Sequence, residues 1–263
     1  MKFFCIPPNK HLSMMDQGDW YFALCHHYVQ DRNYKDYFLN LRKDNPDAFI
    51  LLDNGAAEHS LVTQEMLLEA VEELQPTEVI SPDVLFNRTQ TLANLDDFVA
   101  EMSNRRLLDR TNIFACPQGS NKEEWLDCYT KMALNPLVST IGLSKIAVPK
   151  CWNNATEDKL IGISRNQCVN ELNTRKLLTK PLHLLGMGEH DEFDYYLKHQ
   201  IPNIRSSDSC YTVLAAINGI NFELGDTTRV PTTNEYFNVT LTDEQMQLAT
   251  KNINYLKNCY KNI

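Results

Sequence analysis

The sequence has no apolar run approaching the roughly 18 residues of a membrane span, which excludes a transmembrane helix. It has no Cys-x-x-Cys pair, so the usual structural zinc signatures are missing and no metal or cofactor is expected. Eight cysteines (5, 25, 116, 128, 151, 168, 210, 259) are scattered through 263 residues, a pattern that predicts reduced thiols rather than a disulfide framework. No repeat of roughly 20–50 residues and no Gly/Ser/Pro-rich linker is legible, so residues 1–263 read as one domain. Positive charge is also short: 25 Lys+Arg stand against 34 Asp+Glu, a net charge of −9. That balance disfavours a protein that coats nucleic acid wholesale, while leaving room for a local basic patch. The opening Met1-Lys2-Phe3-Phe4-Cys5-Ile6 meets Pro7-Pro8 before any signal-peptide core could form. A soluble, cytoplasmic protein is expected, in which the sequons at Asn87, Asn154 and Asn238 are chance matches.

What is present is a recurring unit. With 43% apolar residues the chain can bury a sizeable core. Short apolar runs occur at Lys2–Ile6, Trp20–Cys25, Ala48–Leu52, Glu78–Ser81, Asn112–Cys116, Thr140–Leu143, Leu182–Gly186 and Ile204–Ser207. Most are rich in Val, Ile, Leu and Phe and too short for helices. Helix-like stretches lie between them at Tyr34–Lys43, Gln64–Leu74, Gln90–Asn104, Lys122–Ala133, Ser164–Leu178, Glu192–His199 and Cys210–Ala216. A final amphipathic helix over Thr242–Tyr260 opens on the capping signal Thr242-Asp243-Glu244. Eight strands alternating with helices predict an α/β fold, a (β/α)8 TIM-type barrel, with an open doubly wound sheet as the rival. In either fold the chemistry belongs just past the C-terminal ends of the strands.

The strand ends are rich in polar groups. They carry Asp53-Asn54-Gly55-Ala56-Ala57-Glu58, Ser81-Pro82-Asp83, Pro117-Gln118-Gly119, Gly142-Leu143-Ser144-Lys145, Gly186-Met187-Gly188-Glu189 and Ser206-Ser207-Asp208-Ser209-Cys210. The plainer reading makes each Asp and Ser an ordinary helix N-cap. Three acids and a carboxamide on one rim instead suit the planar, polar edge of a nucleobase. A carboxylate there can also act as nucleophile or acid/base at a glycosidic carbon.

Six of these segments together resemble the tRNA-guanine transglycosylases and their phage- and bacteria-borne DNA relatives. Asp208-Ser209-Cys210-Tyr211-Thr212-Val213-Leu214-Ala215-Ala216 is similar to the archaeal segment Asp-Ser-Ala-Ser-Tyr-Ala-Leu-Tyr-Ala, whose first Asp is the nucleophile. Asn218-Gly219 falls where the bacterial type has Asn-Gly. Leu52-Asp53-Asn54-Gly55 resembles the Asp-Ser-Gly turn of the second catalytic Asp. Gln118-Gly119 resembles the Gln-Gly-Gly base-binding turn, Gly142-Leu143 the Gly-Gly-Leu turn, and His183-Leu184-Leu185-Gly186-Met187-Gly188 the Leu-Met-Gly-Val-Gly strand end. Asp83 sits near the base-recognising Asp, with Phe86-Asn87 as a competing register. The likeness runs from about residue 48 to 220, in family order.

The departures matter too. The zinc cluster Cys-x-Cys-x-x-Cys…His of the tRNA enzymes is missing, as is the Thr-Arg…Arg element after the bacterial nucleophile. Only 55 residues follow Asp208, leaving no room for an added RNA-binding domain. The resemblance therefore implies the DNA-acting branch, exchanging guanine for a free 7-deazaguanine base, in the cytoplasm of a bacterial host if phage-encoded. A reduced tRNA enzyme and a catalytically silent nucleic-acid-binding barrel are the alternatives. On this reading Asp208 attacks C1′ and Asp53 moves the proton at the base nitrogen. Asp83, Gln118, Gly119, Gly142, Leu143, Gly186, Gly188, Asn54 and Glu58 surround the base.

A path for DNA should be basic. Between residues 145 and 180 stand seven cations, Lys145, Lys150, Lys159, Arg165, Arg175, Lys176 and Lys180, against three acids, with Trp152 able to stack on a base. The plainer reading is a solvated helix face with a packing Trp. His26-His27 and Glu189-His190-Asp191-Glu192 have metal-ligating side chains without a spaced partner set, and ordinary core or surface roles are expected for them. Glu189 is a further possible pocket residue, and Met14-Met15 and the tyrosines of 195–196 and 255–260 read as packing.

Overall fold

The structure is a computed structural model that describes residues 1–56, 62–155, 160–187, 192–233 and 235–261. Eight parallel strands form one sheet: β1 (Lys2–Cys5), β2 (Tyr21–Leu24), β3 (Ile50–Asp53), β4 (Glu78–Ile80), β5 (Asn112–Ala115), β6 (Val138–Ser144), β7 (Leu182–Leu185) and β8 (Ile204–Ser209). Each pairs with its neighbour in sequence, and β8 returns to pair with β1. The remaining seam, β1 to β2, is closed by a parallel bridge between Phe4 and Trp20. Across it the Asp19 N–H donates to Phe3 O at 2.8 Å, and the Asp19 carboxylate accepts from Phe3 N at 2.9 Å. The fold is a single (β/α)8 barrel, as the alternation predicts.

Every expected strand is present, because both faces of a parallel sheet are covered and its strands are therefore short apolar runs. The outer helices are α2 (Arg32–Asp44), α3 (Gln64–Leu74), α4 (Arg88–Asn104), α5 (Lys122–Leu134), α7 (Ile161–Thr174), α8 (Glu192–His199), α9 (Tyr211–Ile217) and α10 (Asp243–Tyr260). Asp31, Thr63, Asn87 and Asn121 cap four of them through side-chain oxygens, so several helix starts follow from local chemistry. At α10 the capping box closes between Thr242 and Gln245. Two further helices were not expected, α1 (Cys25–Gln30) and α6 (Ala147–Asn153). The first follows β2 without a spacer and without a side-chain cap, so nothing local marks its start. The second carries Pro149 in its first turn, where proline is tolerated, and is capped by Ser144 Oγ accepting from Ile146 N and Ala147 N. No helix among the described residues is long and apolar enough to cross a membrane.

Two register shifts shape the barrel interior, one between β5 and β6 and one between β7 and β8. The second inserts Arg205, after which His183 pairs with Ser206. This lets Arg205 enter the N-terminal end while Ser206 meets His183 one level higher. The N-terminal end is closed by Glu78, which accepts from both terminal nitrogens of Arg205 at 2.7 and 2.8 Å and from Thr140 Oγ1 at 2.7 Å. Above it, Phe4, Phe22 and Phe114 surround the fully buried His183 with ring centroids 5.4–6.3 Å apart. The C-terminal mouth is open.

Candidate active site at the barrel mouth

The mouth holds a cavity of about 680 Å³ whose lining includes Asp53, Asn54, Asp83, Gln118, Lys145, Gly186 and Asp208. The strand-end rule thus brings side chains from β3 through β8 to one place.

Asp208, nearly buried near the end of β8, is held by its Oδ1. That atom accepts from Gly186 N at 2.9 Å and from His183 Nε2 at 2.9 Å. His183 Nδ1 in turn lies 2.8 Å from Ser206 Oγ. Burial among aromatic rings holds the His183 pKa below the ordinary range, outweighing the nearby Asp208 charge, so the ring is neutral at pH 7. An ionised Asp208 only accepts, so the ring hydrogen sits on Nε2 and Ser206 donates to Nδ1. Both bonds fall on Oδ1; Oδ2 accepts none among the described residues. One oxygen is fixed and the other is left for chemistry.

Asp83 is gripped on both oxygens by carboxamides. Asn54 Nδ2 donates to Oδ1 at 2.6 Å and Gln118 Nε2 donates to Oδ2 at 2.6 Å. Asn54 also donates to Ser81 O at 2.8 Å, and Gln118 Oε1 accepts from Phe86 N at 3.1 Å. The Phe86 segment therefore supports Gln118, while Asp83 occupies the cavity. Asp53 Oδ2 accepts from Gly55 N at 2.9 Å, a tight turn of the kind Asp-Asn-Gly favours. Cys116 sits beneath, its thiol pushed up by burial and by the Asp83 charge, so it is an uncharged wall.

Other expected residues fall elsewhere. Gly142 lies inside β6, two residues before its end, and a Cβ there would meet the Phe114 ring at 2.6 Å and Leu185 at 2.7 Å. It is a packing glycine under the cavity floor. Leu143 is buried, with its carbonyl accepting from Arg165 at 3.2 Å. Gly119 lets the chain pass α5, since a Cβ would meet Trp125 N at 2.5 Å. None of these three lines the cavity; at the end of β6 that place belongs to Ser144, Lys145 and Ile146. Gly186 does line it, with φ +68° and the Lys145 stem packed over its Cα. Glu58, Gly188, Glu189 and Lys159 lie outside the described residues.

The basic stretch is not a face, which corrects the expected nucleic-acid path. Arg165 is fully buried, donating to Glu192 at 2.7 Å and to the carbonyls of Leu143 and Leu185. It ties α7 to α8 and the ends of β6 and β7, and cannot reach a nucleic acid. Helix α7 then carries the chain back to the far end of the barrel. There Arg175 pairs with Glu171, Lys176 follows in the turn, and Lys180 donates to Asn135 O at 2.9 Å beside the start of β6. Trp152 packs edge-on against Trp125 at 5.0 Å. Among the described cations of this stretch, Lys145 lines the cavity, and Lys150 in α6 donates to Asn154 at 2.6 Å.

No family model matches the chain, and no curated protein is similar to it in sequence. Solved structures are similar to it at low identity. RipC from Yersinia pestis is 9% identical, over 96% of this chain and 94% of that one, with a TM-score of 0.45. Macrophomate synthase is 9% identical, over 79% of this chain and 78% of that one, with a TM-score of 0.48. Neither likeness bears on the chemistry.

The cavity also has lining residues that the sequence did not mark as its own: His26, His27 and Gln30 of α1, and Arg229, Val230, Thr232, Thr233 and Phe237. The histidines follow a strand end, a signal that was available. The segment before α10 arrives by tertiary closure, through Tyr211 to the Thr227 carbonyl, Cys210 to Thr232 at 3.2 Å and Lys10 to Thr240 at 3.0 Å, and carries no local pattern. Among the described residues no set of three His, Cys, Asp or Glu side chains is arranged to hold a metal.

Proposed function

We propose that the protein is a base-exchanging transglycosylase, replacing guanine in DNA by a 7-deazaguanine base through a covalent Asp208 intermediate. The observation that carries this reading is the division of labour among carboxylates in one cavity: Asp208 is held by Oδ1 alone, while Asp83 is clamped on both oxygens. The order of these acids along the strands is also the order in the transglycosylase resemblance.

Asp208 Oδ2 forms a bond to C1′ of the target deoxyguanosine as the C1′–N9 bond breaks and its electron pair stays on guanine. Asp53 supplies the proton to the departing base and takes one from N9 of the incoming base. That nitrogen then attacks C1′ and releases Asp208, so two inversions give retention. Asp83 accepts from the N1–H and 2-amino donors shared by guanine and 7-deazaguanine. With both of its oxygens already oriented, a base that lacks those donors forgoes two charge-assisted hydrogen bonds to a preorganised carboxylate, which is the basis of selection. Gln118 acts here by holding Asp83, its amide nitrogen donating to that carboxylate while its oxygen accepts from Phe86 N. The target nucleotide has to leave its stack, at a cost of a few kcal/mol in a duplex, so single-stranded DNA is the better substrate.

Incubating the protein with labelled guanine and either single-stranded DNA, duplex DNA or tRNA tests this. Label entering DNA is the expected result. Label entering tRNA alone would favour the reduced tRNA enzyme, and label entering neither would contradict base exchange.

A further inference from the structure

The base-exchange scheme leaves one polar face of the cavity unused. His26 and His27 stand in the first turn of α1, directly after β2, and line the cavity with Arg229, Thr232 and Thr233. Their rings lie 4.2 Å apart, and Phe237 packs against them at 6.5 and 4.6 Å. The Asn9 amide donates to His27 Nδ1 at 3.3 Å, which places the ring hydrogen on Nε2. That Nε2 atom and His26 Nδ1 are buried and make no hydrogen bond to the described protein. Buried polar atoms of this kind are costly unless something meets them. Burial lowers both pKa values, that of His27 to about 4, with the His26 charge adding and Asp31 opposing, so at neutral pH the rings act as hydrogen-bonding groups and not as cations.

The complementary group can be specified. Arg229, the hydroxyls of Thr233 and of Thr232, the latter in contact with Cys210 Sγ at 3.2 Å, and an imidazole N–H are donor groups, and the guanidinium carries positive charge. A phosphate offers several acceptor oxygens and a negative charge in one group, and it suits a guanidinium fork. A sugar hydroxyl or a carbonyl carries no formal charge to match the guanidinium.

We propose that His26 and His27, together with Arg229, Thr232 and Thr233, form a phosphate subsite that takes the phosphodiester beside the extruded nucleotide. The source of the phosphate rests on the base-exchange reading; the anion chemistry does not. The subsite would fix the backbone while Asp208 faces C1′, so that remote binding helps to position the reacting carbon.

The test has two arms. In the first, inorganic phosphate is titrated into the wild-type protein while the imidazole NMR signals of His26 and His27 are followed. A saturable shift of both is expected; signals that do not move would overturn the subsite. In the second, deoxyguanosine 3′,5′-bisphosphate and deoxyguanosine are compared for binding to wild type, His27→Phe and His27→Gln. The bisphosphate should bind about tenfold or more tighter in the wild type. That ratio should fall towards one in His27→Phe and recover in part in His27→Gln, whose amide can still donate. An unchanged ratio in His27→Phe would overturn the proposal. If phosphate shifts both rings but no base exchange occurs with any polymer, the subsite stands and the base-exchange reading fails.

Discussion

The two ends of the barrel interior treat carboxylates in opposite ways. At the N-terminal end Glu78 is chelated by Arg205 and bonded by Thr140, and the Arg205 guanidinium is covered by Trp20 and Phe49, whose rings each lie 5.4 Å from it. At the C-terminal end Asp208 is held by a neutral imidazole and a backbone N–H, and Asp83 by two carboxamides. A guanidinium cancels the charge it positions, whereas a neutral donor positions a carboxylate and leaves its charge in place. A negative charge that must attack a carbon or accept from a base needs the second arrangement. The first belongs to a plug, so partner type separates structure from chemistry within one barrel.

The comparison breaks most visibly at Asp208. Asp208→Asn keeps an oxygen for His183 and Gly186, so unfolding free energy should stay within about 1 kcal/mol of wild type. Base exchange should fall by about 10⁴-fold or more, because the nucleophile is gone. Urea titration and an exchange assay on the same preparation check both halves. At the other end the effects should invert. Arg205→Met leaves Glu78 buried without its cation, which should cost about 3 kcal/mol in urea unfolding, with exchange per folded molecule unchanged. A variant that kept its stability and lost exchange would erase the distinction between the two ends.

Acid should sharpen it next. His26, His27 and His183 are all held neutral by burial, with folded pKa values below the ordinary histidine value. The unfolded chain therefore binds more protons as the pH falls from about 6.5, and stability drops through that window. For His27 the window closes near pH 4. Melting temperatures at pH 7 and pH 5 should show the loss, and His27→Gln should reduce it. The smallest effect concerns the cations. Arg175→Ala and Lys176→Ala, at the far end, should leave DNA affinity unchanged. Lys145→Ala should lower the salt dependence of binding by about one phosphate contact.

The barrel was legible because each strand is a short apolar run ended by a polar residue, and because a parallel barrel puts all those ends on one rim. For the same reason the sequence places Asp53, Asp83, Gln118 and Asp208 on one rim. What could not be read was direction within and between elements. Gly142 reads as a strand end in the sequence, yet β6 runs on to Ser144, and nothing local marks that extra pair of residues. The cationic stretch looked continuous because charge along a sequence says nothing of a helix that crosses the barrel's height. Arg165 went inside because Glu192, 27 positions away, receives it. Pairings at that range carry no periodicity, and neither does the approach of Phe237 to His27.

Trapping of the covalent intermediate tests the central claim most directly. Wild-type protein quenched in denaturant during exchange on a labelled single-stranded oligonucleotide should give a denaturation-resistant protein–DNA adduct, with the label mapping to Asp208. The Asp208→Asn protein, folded to the same extent, should give none. An equal yield of adduct from Asp208→Asn would contradict the account and move the nucleophile to another residue, with Asp53 the next to examine.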